Sequence, residues 1–200
     1  GHGKSIMFQL ASMLRTGVAI VVDPIISLMD DQIDNLSRVG IDRATSISSQ
    51  LSESLRELVQ ENFSRGEYLF CFVSPERFQI QEFRQALRGL TTSTGVSLIA
   101  IDEAHCVSEW GHDFRTSYLN LGKNSRNFCS SQGYVPPVMS LTGTASRSVL
   151  KDVKRALDIM DFDALITPST FDRKELKFKV FECSSEEKAA RLKGIMELLP

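Results

Sequence analysis

The sequence predicts an α/β fold in which a mainly parallel β-sheet carries helices on both faces. Four short, continuous apolar runs, rich in β-branched or aromatic residues, lie at 18–22, 69–73, 96–101 and 138–141. Runs of this kind suit strands that are buried on both faces of a parallel sheet. Amphipathic stretches separate them, and repeated alternation of strand and helix is typical of such a sheet. The 200 residues suffice for one such domain and part of another.

The helical stretches can be placed from the spacing of their apolar residues. These residues recur on one helical face over 51–63, 80–90 and 149–160. The composition then changes over 167–175, and residues 176–183 alternate as a strand. Ser184 and Glu187 follow at the spacing of a capping box, which predicts another helix. We therefore predict a first domain over 1–168, and a linker with the beginning of a second domain over 169–200.

The composition is that of an ordinary globular protein and excludes several classes. The formal net charge is −2, so a nucleic-acid partner would need a local basic groove rather than a basic average. The four cysteines form no C-x-x-C pair, so we expect reduced thiols and neither a zinc site nor a disulfide framework. No apolar stretch approaches the roughly 20 residues that cross a bilayer, so we expect no membrane partner.

The chain opens on "GHGKS", residues 1–5, which has the form of the end of a phosphate-binding loop. Gly1 and Gly3 would let backbone N–H groups face phosphate oxygens at a helix N-terminus. Lys4 would reach the β- and γ-phosphates, and the Ser5 hydroxyl would bind Mg²⁺. The plainer alternative is that Gly-Lys-Ser is a common tripeptide. Because the chain begins inside this motif and without methionine, we expect it to be a fragment of a longer protein.

A second candidate element is the acidic pair Asp102–Glu103, which directly follows the apolar run 96–101. The carboxyl end of a buried strand is the edge where α/β sheets bind ligands. Asp102 could hold Mg²⁺, and Glu103 could orient and deprotonate an attacking water. Acids at a solvated strand end are the alternative interpretation. Combined with the Lys-Ser loop, the pair supplies both halves of an ATP hydrolysis site.

The segment "DEAHCVSEWGHDFR", 102–115, resembles the RecQ family of superfamily 2 DNA helicases. Three further segments resemble family motifs in the expected order: "VVDPIISLMDDQ" (21–32), "VSPERF" (73–78) and "LTGTAS" (141–146). The resemblance ends near "FDRKEL" (171–176). It implies a RecA-like P-loop NTPase fold that binds ATP with Mg²⁺ and single-stranded DNA, and that works against a second RecA-like lobe.

The resemblance also implies roles for individual residues. His105 would link the ATP site to the 141–146 motif, which couples the ATP and DNA sites. Single-stranded DNA would stack on the aromatic-rich loop and contact the other motifs. The residues implied in DNA binding or coupling are Ser27, Ser74, Arg77, Trp110, His112, Phe114, Arg115, Thr142 and Thr144.

Several of these residues have plainer interpretations. Trp110 and Phe114 could anchor a folded-back loop in the core, and His112 could be a hydrogen-bonding spacer. Arg77 could form an internal salt bridge instead of binding phosphate.

The first DNA-contacting motif has a plainer reading of its own. Its apolar residues Ile25, Leu28 and Met29 indicate helix core, which leaves Ser27 and backbone N–H groups for DNA. Asp23 departs from the family pattern, which usually has a small hydroxyl residue there, and places a negative charge near the expected DNA path.

The resulting prediction is an ATP-dependent DNA helicase of RecQ type that moves 3′ to 5′ and acts in DNA repair and recombination. It would be intracellular, in the cytoplasm or nucleoid of a bacterium or the nucleus of a eukaryote. The alternatives are a DNA-stimulated translocase that does not separate strands, and a non-catalytic nucleic-acid-binding module. Since the second lobe's catalytic motifs lie beyond these residues, we expect this stretch alone to hydrolyse ATP feebly and unwind nothing.

Overall fold

The computed structural model describes residues 3–108, 116–118, 120–131, 133–143, 146–160, 164–167, 176 and 180–197. The chain divides into two compact units, Gly1–Phe162 and Asp163–Pro200. The predicted domain boundary at 168/169 lies outside the described residues and stays a prediction. Among the described helices, none is long and apolar enough to cross a membrane.

The described strands of the first unit form one parallel sheet. They are β1 (Val18–Val22), β2 (Ala44–Ile47), β3 (Phe70–Val73), β4 (Val96–Ile101) and β5 (Val138–Ser140). Their order across the sheet is β2-β3-β1-β4-β5, and every paired strand is parallel to its neighbour. All residues of β1, β3 and β4 are buried, as their continuous apolar sequences predict. The predicted α/β fold with a mainly parallel sheet is confirmed.

Helices cover both faces of this sheet. One face packs against α1 (Lys4–Met13) and α2 (Ile26–Arg38), which contribute Phe8, Met29 and Leu36 to its core. The other face packs against four helices whose apolar residues form the larger core. These are α3 (Glu53–Ser64), α4 (Gln81–Thr92), α5 (Leu121–Cys129) and α6 (Arg147–Ala156). Short 3₁₀ turns lie at Pro75–Gln79, Ala104–Val107 and Thr116–Tyr118.

The sheet changes its direction of winding between β1 and β4. From β1 the chain passes through α2 to β2 at one edge, whereas from β4 it passes through α5 to β5 at the other edge. Such a switch point opens a crevice at the carboxyl ends of the two strands, where α/β proteins bind ligands. Asp23 follows β1 and Asp102 follows β4, so both acids lie at this crevice.

The structure departs from the sequence predictions in three places. β2 was not predicted, because its sequence "ATSI" is largely polar and half-buried at the edge of the sheet. The helix predicted over 149–160 is observed at Arg147–Ala156. The strand predicted over 176–183 lies partly outside the described residues, and Val180–Cys183 are not in a strand. Val180 is 98% exposed, and a strand requires a hydrogen-bonded neighbour.

The predicted capping box in the second unit is confirmed. The Ser184 N–H donates to Glu187 Oε2 at 3.1 Å, and the Glu187 N–H donates to Ser184 Oγ at 3.3 Å. The Ser184 N–H, and after it the Ser184 hydroxyl, donate to Glu187 Oε2 and lower the pKa of Glu187. The helix that follows is α7 (Lys188–Met196).

Candidate nucleotide-binding site

The N-terminus of α1 lies at the crevice and carries the residues predicted to bind phosphate. Gly3 precedes the helix with φ of 69° and ψ of 21°, a left-handed conformation that glycine adopts without steric cost. Lys4 and Ser5 form the start of the helix and are half-buried. The first N–H groups of a helix have no intrahelical acceptor, which makes this end suitable for an anion. Gly1 lies outside the described residues.

Lys4 contacts both acids that follow β4. Its Nζ lies 3.2 Å from Glu103 Oε1 and 3.7 Å from Asp102 Oδ1. Lys4 and Glu103 are 99 positions apart in sequence, so the fold unites the two predicted halves of the site. The two carboxylates thus converge on the Lys4 ammonium. Carboxylate oxygens are also the ligands that Mg²⁺ prefers. The residues present therefore fit a nucleotide with its magnesium ion.

Glu103 adopts a rare backbone conformation. Its φ of 46° and ψ of 44° lie in the left-handed region, which is uncommon for a residue with a side chain. Two hydrogen bonds hold the turn: the Glu103 N–H donates to Asp102 Oδ1 at 2.8 Å, and the Ala104 N–H donates to the Leu141 carbonyl at 2.9 Å. Backbone strain of this kind clusters at functional sites. Here it sets the direction in which the Glu103 side chain leaves the backbone.

His105 joins the acidic pair to the segment after β5. Its Nδ1 lies 2.9 Å from Thr142 Oγ1 and 3.1 Å from Glu103 Oε2. The 141–146 segment approaches the site a second time at Gly143, where an added Cβ would lie 3.4 Å from Lys4 Nζ. The predicted pairing of His105 with this motif thus has a direct contact, while Thr144 lies outside the described residues.

Asp23 also lies beside Lys4, Asp102 and Glu103, although its sequence motif placed it on the expected DNA path and not at the nucleotide site. Its side chain is fully buried, and Oδ1 accepts the Ile25 N–H at 2.9 Å. Burial is the main cause that raises the pKa of Asp23 to about 6, and the charges of Asp102 and Glu103 raise it further, whereas the Ile25 N–H and Lys4 lower it. The sequence carried a usable signal, since Asp23 follows a buried strand just as Asp102 does.

The first predicted DNA segment lies at the start of α2. Ser27 is exposed there, as DNA contact would require. Met29 is fully buried, which confirms its expected place in the core. Ile25 and Leu28 are 43% and 39% exposed, so the expectation that they are core residues was wrong. They flank Ser27, and the first turn of α2 therefore presents a mixed polar and apolar surface.

The second predicted DNA segment is the 3₁₀ turn after β3. Ser74 is half-buried, and its carbonyl accepts the Arg77 N–H at 3.0 Å. Arg77 is 6% exposed and forms no ion pair with any carboxylate of the described residues, so the salt-bridge alternative is not observed there. Burial, followed by the charge of Arg56, lowers the pKa of Arg77. Both arginines line a cavity of about 300 Å³.

The aromatic-rich loop cannot be placed against this site. Trp110, His112, Phe114 and Arg115 lie outside the described residues. Their predicted role in DNA binding, and the alternative that they anchor the loop or space it, stay predictions.

Comparison with known proteins agrees with this geometry. Residues 1–153 match the DEAD/DEAH box helicase family. The chain is similar to the ATP-dependent DNA helicase RecQ of Bacillus subtilis, at 37% identity over 188 residues, covering 94% of this chain and 30% of the relative. It is also similar to the probable ATP-dependent DNA helicase RecS of Bacillus subtilis, at 40% identity, covering 80% of this chain and 30% of that protein. The putative ATP-dependent DNA helicase Q1 of Caenorhabditis elegans is 38% identical, and the match covers 94% of this chain and 29% of that protein.

A solved structure gives the same fold. The helicase domain of Hef from Pyrococcus furiosus matches with a TM-score of 0.53 at 17% identity, covering 80% of this chain and 32% of that chain. This chain spans under a third of the length of the three relatives above. The family match covers most of the residues and includes both ends of the Lys4–Glu103 contact. The chain belongs to the DEAD/DEAH box helicase family.

Proposed function

We propose that this chain supplies the nucleotide-binding lobe of a RecQ-type, ATP-dependent DNA helicase. The protein would couple ATP hydrolysis to 3′–5′ movement on single-stranded DNA and to duplex unwinding in DNA repair and recombination. The single observation that carries the proposal is the cluster of Lys4, Asp102, Glu103, His105 and Thr142 at the switch point of the sheet. RecQ-named relatives at 37% and 36% identity support the choice of substrate class.

In this proposal Lys4 exchanges its contacts with Asp102 and Glu103 for contacts with the nucleotide phosphates during each cycle of ATP hydrolysis. The Lys4 ammonium, now paired with two carboxylates, would turn to the β- and γ-phosphates when nucleotide enters. Asp102 and the Ser5 hydroxyl would hold the magnesium ion, which neutralises charge on the transferred phosphoryl group. Glu103 would then be free to accept a proton from the attacking water. Its fixed backbone supports this role, since a general base must be held within hydrogen-bond reach of that water.

Contact with DNA would be communicated through neighbouring elements. His105 holds Thr142 and Glu103 through one ring nitrogen, so a shift of the 141–146 segment would alter the position of the general base. Thr144 would contribute to the same motif. Ser27 and Ser74 would contact the DNA backbone from the turns that follow β1 and β3. Arg77, which is 6% exposed, could do so only after a rearrangement of its turn.

The aromatic-rich loop and a second lobe would supply the remaining contacts to DNA and to ATP. The loop that stacks on DNA bases would contain Trp110, His112, Phe114 and Arg115. Stacking of one base on an aromatic side chain contributes about 1–3 kcal/mol to binding. A second RecA-like lobe beginning near 169 would supply an arginine to the γ-phosphate. The protein would work wherever the cell keeps its DNA, in the nucleoid or the nucleus.

The test is ATP hydrolysis by the full-length protein with and without single-stranded DNA. Lys4→Ala should abolish turnover, whereas Lys123→Ala, which removes an exposed lysine of α5, should not. Trp110→Ala should lower the ratio of DNA-stimulated to unstimulated turnover. An absence of DNA-stimulated turnover in the wild type would refute the helicase proposal. Stimulated turnover without separation of a tailed duplex would instead favour a translocase.

A further inference from the structure

Asp23 carries a buried oxygen for which the fold provides no donor. The side chain is 0% exposed, and Oδ1 accepts the Ile25 N–H, but Oδ2 has no hydrogen-bond partner among the described residues. A buried polar atom left unpaired costs about 1–3 kcal/mol, and more when it is charged. The bond to the Ile25 N–H, in the turn before α2, needs only one acceptor oxygen, so it does not account for the second.

The position of Asp23 places its side chain beside the nucleotide site. Val22 pairs with Ile101 across β1 and β4, so Asp23 and Asp102 are the next residues of two adjacent strands. The Asp102 N–H donates to the Val22 carbonyl at 2.8 Å, which keeps the two strand ends together beyond the last pair. Asp23 also interacts electrostatically with Lys4 and Glu103. It therefore adds a third carboxylate to the electrostatic environment of Lys4, whose ion pairs are with Asp102 and Glu103.

The three carboxylates are too far apart to bind one ion directly. Among the described residues, no three acidic, histidine or cysteine side chains converge as an inner coordination shell would require. Magnesium, however, usually keeps several of its waters and takes only one or two protein carboxylates directly. Each bound water presents O–H donors to its surroundings. An unpaired, buried carboxylate oxygen beside the ion's ligand is a suitable acceptor for one of them.

We propose that Asp23 is a positioning residue of the nucleotide site, whose Oδ2 accepts a hydrogen bond from a water of the divalent cation held by Asp102. The inference rests on the proposed function and extends it, since it gives the cation a second protein contact from a different strand. Charge agrees with this assignment. Once Lys4 turns to the phosphates, the three carboxylates lose their shared counter-ion, and a hydrated divalent cation replaces it.

The test measures cation affinity rather than turnover. Mn²⁺ is titrated into the full-length protein with a non-hydrolysable ATP analogue, and free Mn²⁺ is followed by electron paramagnetic resonance. Asp23→Asn keeps an oxygen that can accept the Ile25 N–H, and Asp23→Ser keeps a hydroxyl for the same purpose. Both should weaken Mn²⁺ binding about tenfold, the loss typical when an outer-shell partner of a metal site is removed.

A matched control separates the local effect from a change in net charge. Asp42→Asn removes one charge from an exposed aspartate before β2, at the opposite edge of the sheet, and keeps an acceptor for Ser37. It should bind Mn²⁺ as the wild type does. Wild-type affinity in Asp23→Asn or Asp23→Ser, with nucleotide binding still dependent on Lys4, would overturn the inference alone. A wild-type protein that binds no nucleotide would overturn the proposed function as well.

Discussion

Replacement of Asp23 by asparagine should remove a loss of stability that the wild-type protein undergoes as the pH rises toward neutrality. Burial raises the pKa of Asp23 from 3.8 to about 6, so the folded state holds the proton more tightly than the unfolded chain does. Well below pH 4 the group is protonated in both states and imposes no cost, and at pH 4 the cost is still small, about 0.5 kcal/mol. As the pH rises from about 4 to about 6, ionisation becomes progressively more costly in the folded state, and the stability of the wild type falls relative to a neutral residue.

The size of the effect follows from the shift. A difference of roughly two pKa units, at 1.36 kcal/mol each, corresponds to about 3 kcal/mol once the pH is well above 6. Asparagine has no charge at either pH, so any cost of burying its amide is the same throughout. The free energy of unfolding of Asp23→Asn minus that of the wild type should therefore be about 2.5 kcal/mol larger at pH 8 than at pH 4.

The assay is equilibrium unfolding in urea, followed by far-ultraviolet circular dichroism on wild type and variant at both pH values. With a slope of about 2 kcal/mol per molar urea, the difference between the two midpoints should change by about 1.2 M between pH 4 and pH 8. Asp42→Asn, whose aspartate is exposed, serves as the control and should show little change. A change for Asp23→Asn below about 0.5 M would refute the assignment of Asp23 as a buried charge.

Three further predictions concern the coupling contact, the packing of α5 and the aromatic core. Thr142→Val removes the hydroxyl that lies 2.9 Å from His105 and should lower stimulation of ATP hydrolysis by DNA more than nucleotide affinity, measured by turnover and fluorescent-nucleotide titration. Gly122→Ala would place a Cβ 2.5 Å from the Ala156 carbonyl oxygen and should lower the free energy of unfolding by about 1–3 kcal/mol in urea. Phe83→Ala removes a ring whose centroid lies 5.8 Å from that of Phe63 and 5.6 Å from that of Phe78. It should lower the free energy of unfolding by about 3–5 kcal/mol in the same assay, and Phe83→Leu should lower it less.

The parts of the fold that were predictable are those set by local pattern. β1, β3 and β4 are buried on both faces, so burial alone required their continuous apolar sequences. β2 lies at the edge of the sheet, where Thr45 and Ser46 keep partial contact with solvent, and an apolar run was not required there. Periodicity therefore identified the interior of the sheet and missed its edge.

The contacts of the candidate site were predictable in part. The motifs assigned Lys4, Glu103 and His105 to one candidate site, and the structure brings these three side chains together. The left-handed backbone of Glu103 depends on hydrogen bonds to a neighbouring side chain and to Leu141, which no local pattern encodes. Asp23 was assigned to the DNA path because it lies in a DNA-contacting motif. Its burial beside Asp102 follows from strand order, which the sequence does not state.

The elements that follow β4 and β5 also suggest how ATP binding and DNA binding could be coupled over short distances. Asp102 and Glu103 leave β4 and lead within two residues into the 3₁₀ turn at Ala104–Val107, which carries His105. The loop predicted to stack on DNA bases begins directly after that turn, and the segment bonded to His105 leads into α6. The 3₁₀ turn is therefore joined to the proposed catalytic acids at one end and to the loop predicted to bind DNA at the other, and the His105 side chain bonds it to Thr142 of the 141–146 segment. A displacement of the turn relative to that segment would change the His105–Thr142 contact, so the proposed coupling requires no long pathway through the core.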